Sequence, residues 1–214
     1  MSAVIQAIVA SSTSTHVIYN YPSFYTNYSV LSAHPNFASG IWRRDYNTGY
    51  FEDNVTWFAT QTPSYTGANT VVDIGTTLND TAQDNYSIQW TGYFVPPTTG
   101  NYKFRTTSDD ASYMWLGAEA LSGFTTGNAI VNNGNYHGDD TITSASFYLT
   151  TGYAYPVRFQ YGEAGGGATM QGEYSIDGGL NWNSLNTRVR YISGTTEGLL
   201  PFYNAFPVFN LDGS

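Results

Sequence analysis

The residues best placed to do chemistry are two adjacent carboxylates in the stretch Thr106-Thr107-Ser108-Asp109-Asp110-Ala111-Ser112-Tyr113-Met114-Trp115-Leu116-Gly117. A strand pattern ends just before the pair and another begins just after it, so a loop presents Asp109 and Asp110 together. Neighbouring acids repel, and the pair calls for a cation, nearby hydrogen-bond donors or plain solvation. Carboxylate pairs also run glycoside hydrolysis, but there they flank the scissile bond several ångströms apart, a spacing that adjacent residues of one loop seldom reach. A second acidic pair, Asp139-Asp140, closes the segment Asn132-Asn133-Gly134-Asn135-Tyr136-His137-Gly138, which either reaches the same rim or is only a turn. His16, His34 and His137 lack His-x-x-x-His spacing, and no Gly-x-Ser-x-Gly elbow occurs. No catalytic residues are expected, and the chain is read as a non-enzyme.

The elements that must hold these loops are strands. Gly, Pro, Asn, Asp and Thr interrupt every apolar pattern before it sustains a helix. In Tyr86 to Phe94, residues Tyr86, Ile88, Trp90 and Phe94 share one face, and Ser87, Gln89 and Thr91 the other, the pattern of a half-buried strand. Pro96 to Gly100 breaks the chain, and Asn101 to Arg105 alternates again, which reads as a hairpin. Further strands are expected at 113–116, 141–149, 154–161, 170–176 and 188–192. Trp90, Tyr113, Trp115 and Phe159 read as core. Residues 47–82 look like a long surface excursion with a short helical turn near Asp53 to Ala59. Regular short strands of this kind predict an all-β antiparallel sandwich with long loops. The 214 residues suit one domain, 1–214, with 1–40 and 200–214 as peripheral strands or assembly arms.

Composition narrows the partners. Sixteen acids against seven bases, with Lys103 the sole lysine, give a net charge of −9, which is poor material for neutralising a nucleic-acid backbone. The absence of cysteine excludes disulfides, thiolate metal sites and thiol nucleophiles. No apolar run is long enough to span a membrane. Met1 to Ala10 is apolar but lacks the basic flank of a secretory signal, so it is read as an extended segment that packs as strands. Sequons at Asn27, Asn54, Asn79 and Asn85 match chance expectation in a chain rich in Asn, Ser and Thr.

Three blocks of the sequence resemble the PA-14 (protective-antigen-like) domain, especially its GLEYA-type and flocculin sugar-binding branch. They are Tyr86 to Thr107, with Trp90-Thr91-Gly92-Tyr93 and Gly100-Asn101-Tyr102-Lys103-Phe104; Ser108-Asp109-Asp110 with Met114-Trp115-Leu116-Gly117; and Gly152-Tyr153-Ala154-Tyr155-Pro156-Val157-Arg158-Phe159-Gln160-Tyr161. A weaker echo lies in Tyr50 to Phe58. The resemblance implies a PA-14-like sandwich in which Asp109 and Asp110, joined by a cis peptide, hold Ca2+. It further implies that the loop Tyr161-Gly162-Glu163-Ala164-Gly165-Gly166-Gly167-Ala168 completes the site, with Glu163 in the position of a common asparagine and the Gly165 and Gly167 carbonyls as backbone ligands. Calcium accepts carboxylate, carboxamide and backbone oxygens alike, so Glu163 is chemically admissible, although it adds charge beside a sugar. The loop tryptophan common in yeast adhesins is replaced by Gly165-Gly166-Gly167, leaving any stacking surface to another loop. Asp109, Asp110, Tyr136 and His137 are the candidate sugar contacts.

Two readings follow. One is a calcium-dependent lectin or adhesion module that recognises cell-surface or host glycans, outside the cell. The other is a virion surface component of phage or virus, in which the same fold serves assembly, with protein partners in the particle or in a homo-oligomer. Neither calls for nucleic acid or membrane insertion.

Overall fold

A computed structural model of the protein describes residues 25–72 and 84–200. Its strands run from two to eleven residues and are joined by turns and loops. In chain order they begin with β1 (Thr26–Asn27), β2 (Phe37–Ser39), β3 (Ile41–Tyr46), β4 (Tyr65–Asn69) and β5 (Tyr86–Phe94). Next come β6 (Gly100–Asp109), β7 (Ser112–Leu116), β8 (Val131–Asn133), β9 (Asp140–Thr143) and β10 (Phe147–Leu149). The series closes with β11 (Tyr153–Glu163), β12 (Thr169–Ser175), β13 (Asn183–Ser184) and β14 (Val189–Ile192). Among the described residues helix is confined to α1 (Tyr28–Ser32), α2 (Ala118–Leu121) and single 3-10 turns, one of them at Trp57–Thr60.

These strands form two antiparallel sheets, the all-β sandwich expected. The larger runs β2-β14-β5-β11-β7-β8, with β1 on β11 and β3-β4 on β5; the smaller runs β10-β6-β12-β13, with β9 on β6. Between them lies a core to which Trp90, Phe94, Met114, Phe159, Phe104, Met170 and Tyr174 contribute. β7 shows the period of two directly. Met114 and Leu116 point into that core, while Tyr113 and Trp115 point the other way, into a second cluster with Tyr46, Phe51, Val55 and Phe58.

This second cluster corrects two expectations. Residues 50–58 are not a loose excursion: Phe51, Val55 and Phe58 are buried against the outer face of the larger sheet, and residues 65–69 form β4. Consequently β5 is not half-buried. All nine of its residues are buried, because Ser87 and Thr91 donate to the carbonyls of Gly49 and Glu197, and Gln89 accepts from Gln160. Alternating polar residues are here the hydrogen-bonded underside of a covered sheet.

A third correction concerns the hairpin. β5 and β6 do not pair; they belong to different sheets, and Pro96 to Thr99 carries the chain across the sandwich. The 141–149 strand is likewise two, β9 and β10, separated by residues 144–146. Of the proposed arms, residues 25–40 hold β1, α1 and β2, joined to the larger sheet through β11 and β14. Residues 1–24 and 201–214, with the sequon at Asn79, lie outside the described residues. Among the described residues no helix is long and apolar enough to cross a membrane.

Candidate functional site

Sheet crossing, once recognised, explains how the site is assembled. Three connections pass from one sheet to the other at the same end of the sandwich: Asp110–Ala111 between β6 and β7, residues 134–139 between β8 and β9, and residues 164–168 between β11 and β12. The ladders align them. Asp109 pairs with Thr169, Ser108 with Asp140, and Ser112 with both Tyr161 and Asn133. A buried polar seam beneath the loops fixes this alignment: Asn133 donates to Ser108, Ser108 to Ser112, and Ser112 to Thr106, at 2.8–2.9 Å. Asn133 also donates to the Asp140 carbonyl. A polar group removed from water needs such partners, so the seam ties both sheets at one height.

On this base stand Asp109, Asp110 and Glu163. The Asp109–Asp110 peptide is cis. Oxygens of the three carboxylates all lie within 4.8 Å of one another. Asp110 is buried, and each of its oxygens accepts one backbone N–H, from His137 at 3.0 Å and from Ala164 at 2.9 Å, so it links the two other loops. Glu163 is 0% exposed; Oε2 accepts from the Tyr161 hydroxyl at 3.2 Å, while Oε1 has no partner among the described residues. The same hydroxyl lies closer to the Asp109 carbonyl, at 2.6 Å, so its one proton is shared between the two sides of the cluster. Burial, followed by the charge of Asp110, pushes the Glu163 carboxyl up to about 7. Asp109 is raised as well, by burial first and then by Asp110 and Asp139, with His137 opposing.

The glycines of the 164–168 loop serve this geometry. A Cβ on Gly167 would lie 2.9 Å from Asp109 Oδ2, so only a bare backbone leaves that oxygen in place. The Gly165 carbonyl accepts from the Tyr136 hydroxyl at 3.3 Å, which draws the β8–β9 loop over the β11–β12 loop. Tyr136 is otherwise open, 68% exposed. His137 stands beside it, its ring nitrogens against the Gly138 and Asn133 carbonyls. Asp140 belongs to β9, its carboxylate capping the Thr141 amide.

Among the described residues the metal-binding side chains of the cluster are all carboxylates. Ca2+ binds oxygens at about 2.3–2.6 Å, so ligands on opposite sides of one ion stand roughly 5 Å apart, which matches this spacing. The acids present therefore fit calcium, and an unpartnered buried carboxylate oxygen is the feature a cation would satisfy.

Three neighbours complete the surroundings, Tyr50 and Asp53 from the weaker echo at 50–58 and Asp84 from a stretch without a sequence signal. The Tyr50 hydroxyl is buried without a partner among the described residues, close enough to Asp53, Asp110, Glu52 and Glu163 to feel their charges. Asp53 accepts from Tyr113 at 2.8 Å and from the Asn135 amide, anchoring the β8–β9 loop from below. Asp84 accepts from the Gly166 amide at 3.2 Å.

Residues 86–175 match the GLEYA domain family model. The chain carries a PA14/GLEYA-type domain. Asp109, Asp110, Tyr136, His137, Glu163, Gly165 and Gly167 all fall inside it, whereas Tyr50, Asp53 and Asp84 lie before its matched start. A flocculation protein of Saccharomyces cerevisiae, FLO9, is 29% identical over 128 residues, 54% of this chain and 8% of that protein. This chain thus aligns with a small part of that relative. Among solved structures, the A domain of epithelial adhesin 9 from Candida glabrata, in complex with Galβ1-4GlcNAc, is similar at a TM-score of 0.60 and 14% identity, over 85% of this chain and 100% of that one. The PA14 sugar-binding domain of an RTX adhesin reaches 0.51 at 18% identity, over 71% and 98%. At such identities the structural likeness establishes the sandwich of the PA14/GLEYA-type domain.

Proposed function

We propose that the chain is a calcium-dependent carbohydrate-binding module of the lectin or adhesin kind, with Asp109, Asp110 and Glu163 holding the ion. The observation that carries this reading is the Glu163 carboxylate, wholly buried, with one oxygen unpartnered and two further acids within 4.8 Å. A buried charge without compensation is costly, and a divalent cation offsets all three at once. Bound calcium supplies positive charge and coordination positions suited to the vicinal hydroxyls of a sugar.

The chain's own residues do the rest. Asp110 is held by two N–H donors, so its orientation is set before any ligand arrives. Asp109 and Asp110 keep lone pairs able to accept hydrogen bonds from sugar hydroxyls. The exposed ring of Tyr136 offers a stacking face beside them, and His137 a polar edge. Carbonyls of Gly165 and Gly167 are the backbone ligands in this reading.

Binding rather than catalysis suits the geometry. Hydrolytic carboxylates stand apart with a bond and a water between them, whereas these oxygens converge on one point. Relatives named as a flocculation protein and an epithelial adhesin support an extracellular surface location with glycan partners. Multivalent display of such a module raises its avidity without new contacts.

The test is a thermal melt of the protein with calcium and with EDTA, followed by a glycan array. Calcium raises the melting temperature and EDTA reverses the rise. Glycan signal follows calcium and disappears in Asp109→Ala. An unchanged melting temperature would sink the metal assignment, and equal array signal from wild type and D109A would remove this loop rim as the sugar site.

A further inference from the structure

The three ligand carboxylates sit within a wider field of acid. Asp110 and Asp139 act on Asp109. Glu52, Asp53, Asp110 and Glu163 act on Tyr50. Asp84 is tied to Gly166 of the metal-side loop. Seven acids of the chain's sixteen, Glu52, Asp53, Asp84, Asp109, Asp110, Asp139 and Glu163, thus gather at one end of the sandwich.

The bases are elsewhere. Arg43 pairs with Asp45, Arg44 and Arg158 with Glu197, and Arg105 with Glu173. Arg190 donates to the carbonyls of Thr187 and Val189, and Lys103 lies against Gly179. Arg188 lies beside Val95, its carbonyl accepting from that amide, and among the described residues His137 is the basic group that acts on the rim. A divalent cation cancels two of seven negative charges, so the loaded site stays anionic.

The inner acids and the outer ones then have different tasks. Glu163 and Asp110 are buried at the centre. Asp53 is structural, holding Tyr113 and Asn135. Asp84 and Asp139 are exposed and stand outside the three-carboxylate group. An approaching ligand meets them first, and like-charge juxtaposition acts against the wrong partner more than it costs the right one.

We propose that Asp84 and Asp139 are specificity-determining residues that make the rim accept uncharged glycan ends and reject those carrying carboxylate, sulfate or phosphate. This rests on the sugar-binding reading above and deepens it by naming the glycan class. Surface charges act through solvent and are screened over about a Debye length, so the discrimination is salt-dependent.

The experiment measures calcium-loaded protein against two matched sets, N-acetyllactosamine with its sialylated and sulfated forms, and methyl mannoside with mannose 6-phosphate. At low salt the anionic member of the set that binds is expected to be weaker by about tenfold, and high salt narrows the gap. The double variant Asp84→Asn, Asp139→Asn narrows it at low salt, because amides keep the shape and remove the charge. Equal binding of neutral and anionic members overturns the proposal alone. So does a gap that neither salt nor the double variant changes, since that gap is steric. Failure of every glycan to bind overturns the sugar reading and this proposal together.

Discussion

β11 carries two buried ionic groups five residues apart, Arg158 and Glu163, and they meet opposite fates. Arg158 is answered from within: its Nη2 bonds Glu197 at 2.7 Å, its Nε donates to the Ala120 carbonyl, and its guanidinium lies 4.4 Å from the Phe124 ring centre. Glu197 also takes Arg44 at 2.7 Å. Among the described residues Glu163 meets no cation: other carboxylates, the Tyr161 hydroxyl and the Gly165 backbone surround it. The two places push acids in opposite directions. Burial raises Glu197, but the Arg158 and Arg44 guanidiniums more than offset it and hold its carboxyl below the ordinary value, whereas Glu163 is lifted to about 7. One cluster closes the fold with charges the chain supplies; the other gathers like charges, which a cation would offset in the proposed reading. Burial of charge is thus no signature of function until its partners are counted.

Breaking the internally balanced cluster gives the largest expected effect. Arg158→Met leaves the Ala120 carbonyl and Glu197 short of a donor in a site that is 2% exposed. The stranded Ala120 carbonyl costs about 1–3 kcal/mol, while Glu197, partly exposed, keeps Arg44, so chemical denaturation shows a clear loss of stability. The rise in melting temperature caused by calcium persists in this variant, since Arg158 has no part in the carboxylate cluster. Loss of both effects together would show that the two regions are not separable.

Gly167→Ala sharpens the other side. Its Cβ meets only Asp109 Oδ2, the mobile end of a side chain, so the carboxylate swings away and calcium-free stability changes little. Moving one ligand of three is expected to weaken calcium about tenfold, or about 1.4 kcal/mol, readable by isothermal titration. Unchanged affinity would place the ion away from Asp109.

How much of this contrast the sequence reveals depends on the reach of each signal. Asp109, Asp110 and Glu163 were legible because adjacent acids and a glycine-rich loop are local patterns, and the family resemblance joins them. Glu197 was not, for it sits among Gly, Ser and Thr, and its partners Arg44 and Arg158 are 153 and 39 residues away. The same limit produced the false hairpin. Pro96 to Gly100 marks a break in a strand, but the same turn residues serve a reversal within one sheet and a passage between two. Period-two alternation assigned the faces of β5 correctly, with Ile88 and Trp90 toward the sandwich core. It missed that the opposite face is also covered, because Gly49, Gln160 and Glu197, which accept or supply the hydrogen bonds there, are remote in sequence. Asp84 escaped notice for that reason as well, and Tyr50 stood only in a weak echo; both reach the rim from segments that precede the matched domain.

Acid titration tests the balanced cluster more gently. Glu197 has a folded-state pKa below its ordinary value of 4.5, so the unfolded chain takes up the proton first as pH falls. Its contribution to stability is complete above 4.5 and is lost as pH drops through the depressed folded value. Its side chain is 35% exposed, and solvent screening reduces the contribution to about 1 kcal/mol. Denaturation curves of wild type and Glu197→Gln should converge at low pH and separate above it. A gap independent of pH would mean that packing, not charge, accounts for Glu197.

The smallest effect is the most diagnostic, because its sign differs between regions. Glutamine preserves the size of glutamate and removes its charge. At position 197 that leaves two guanidiniums without a counter-charge, and stability falls with or without calcium. At position 163 it removes one of three converging negative charges, and the new amide can donate to Asp109 or Asp110. Calcium-free Glu163→Gln is therefore expected to equal the wild type or exceed it by up to about 1 kcal/mol, while its stabilisation by calcium shrinks. Paired melts of both variants with calcium and EDTA read the two signs in one experiment. A Glu163→Gln variant destabilised in EDTA and still fully stabilised by calcium would mean that Glu163, like Glu197, serves the fold and that the ion relies on Asp109 and Asp110 without it.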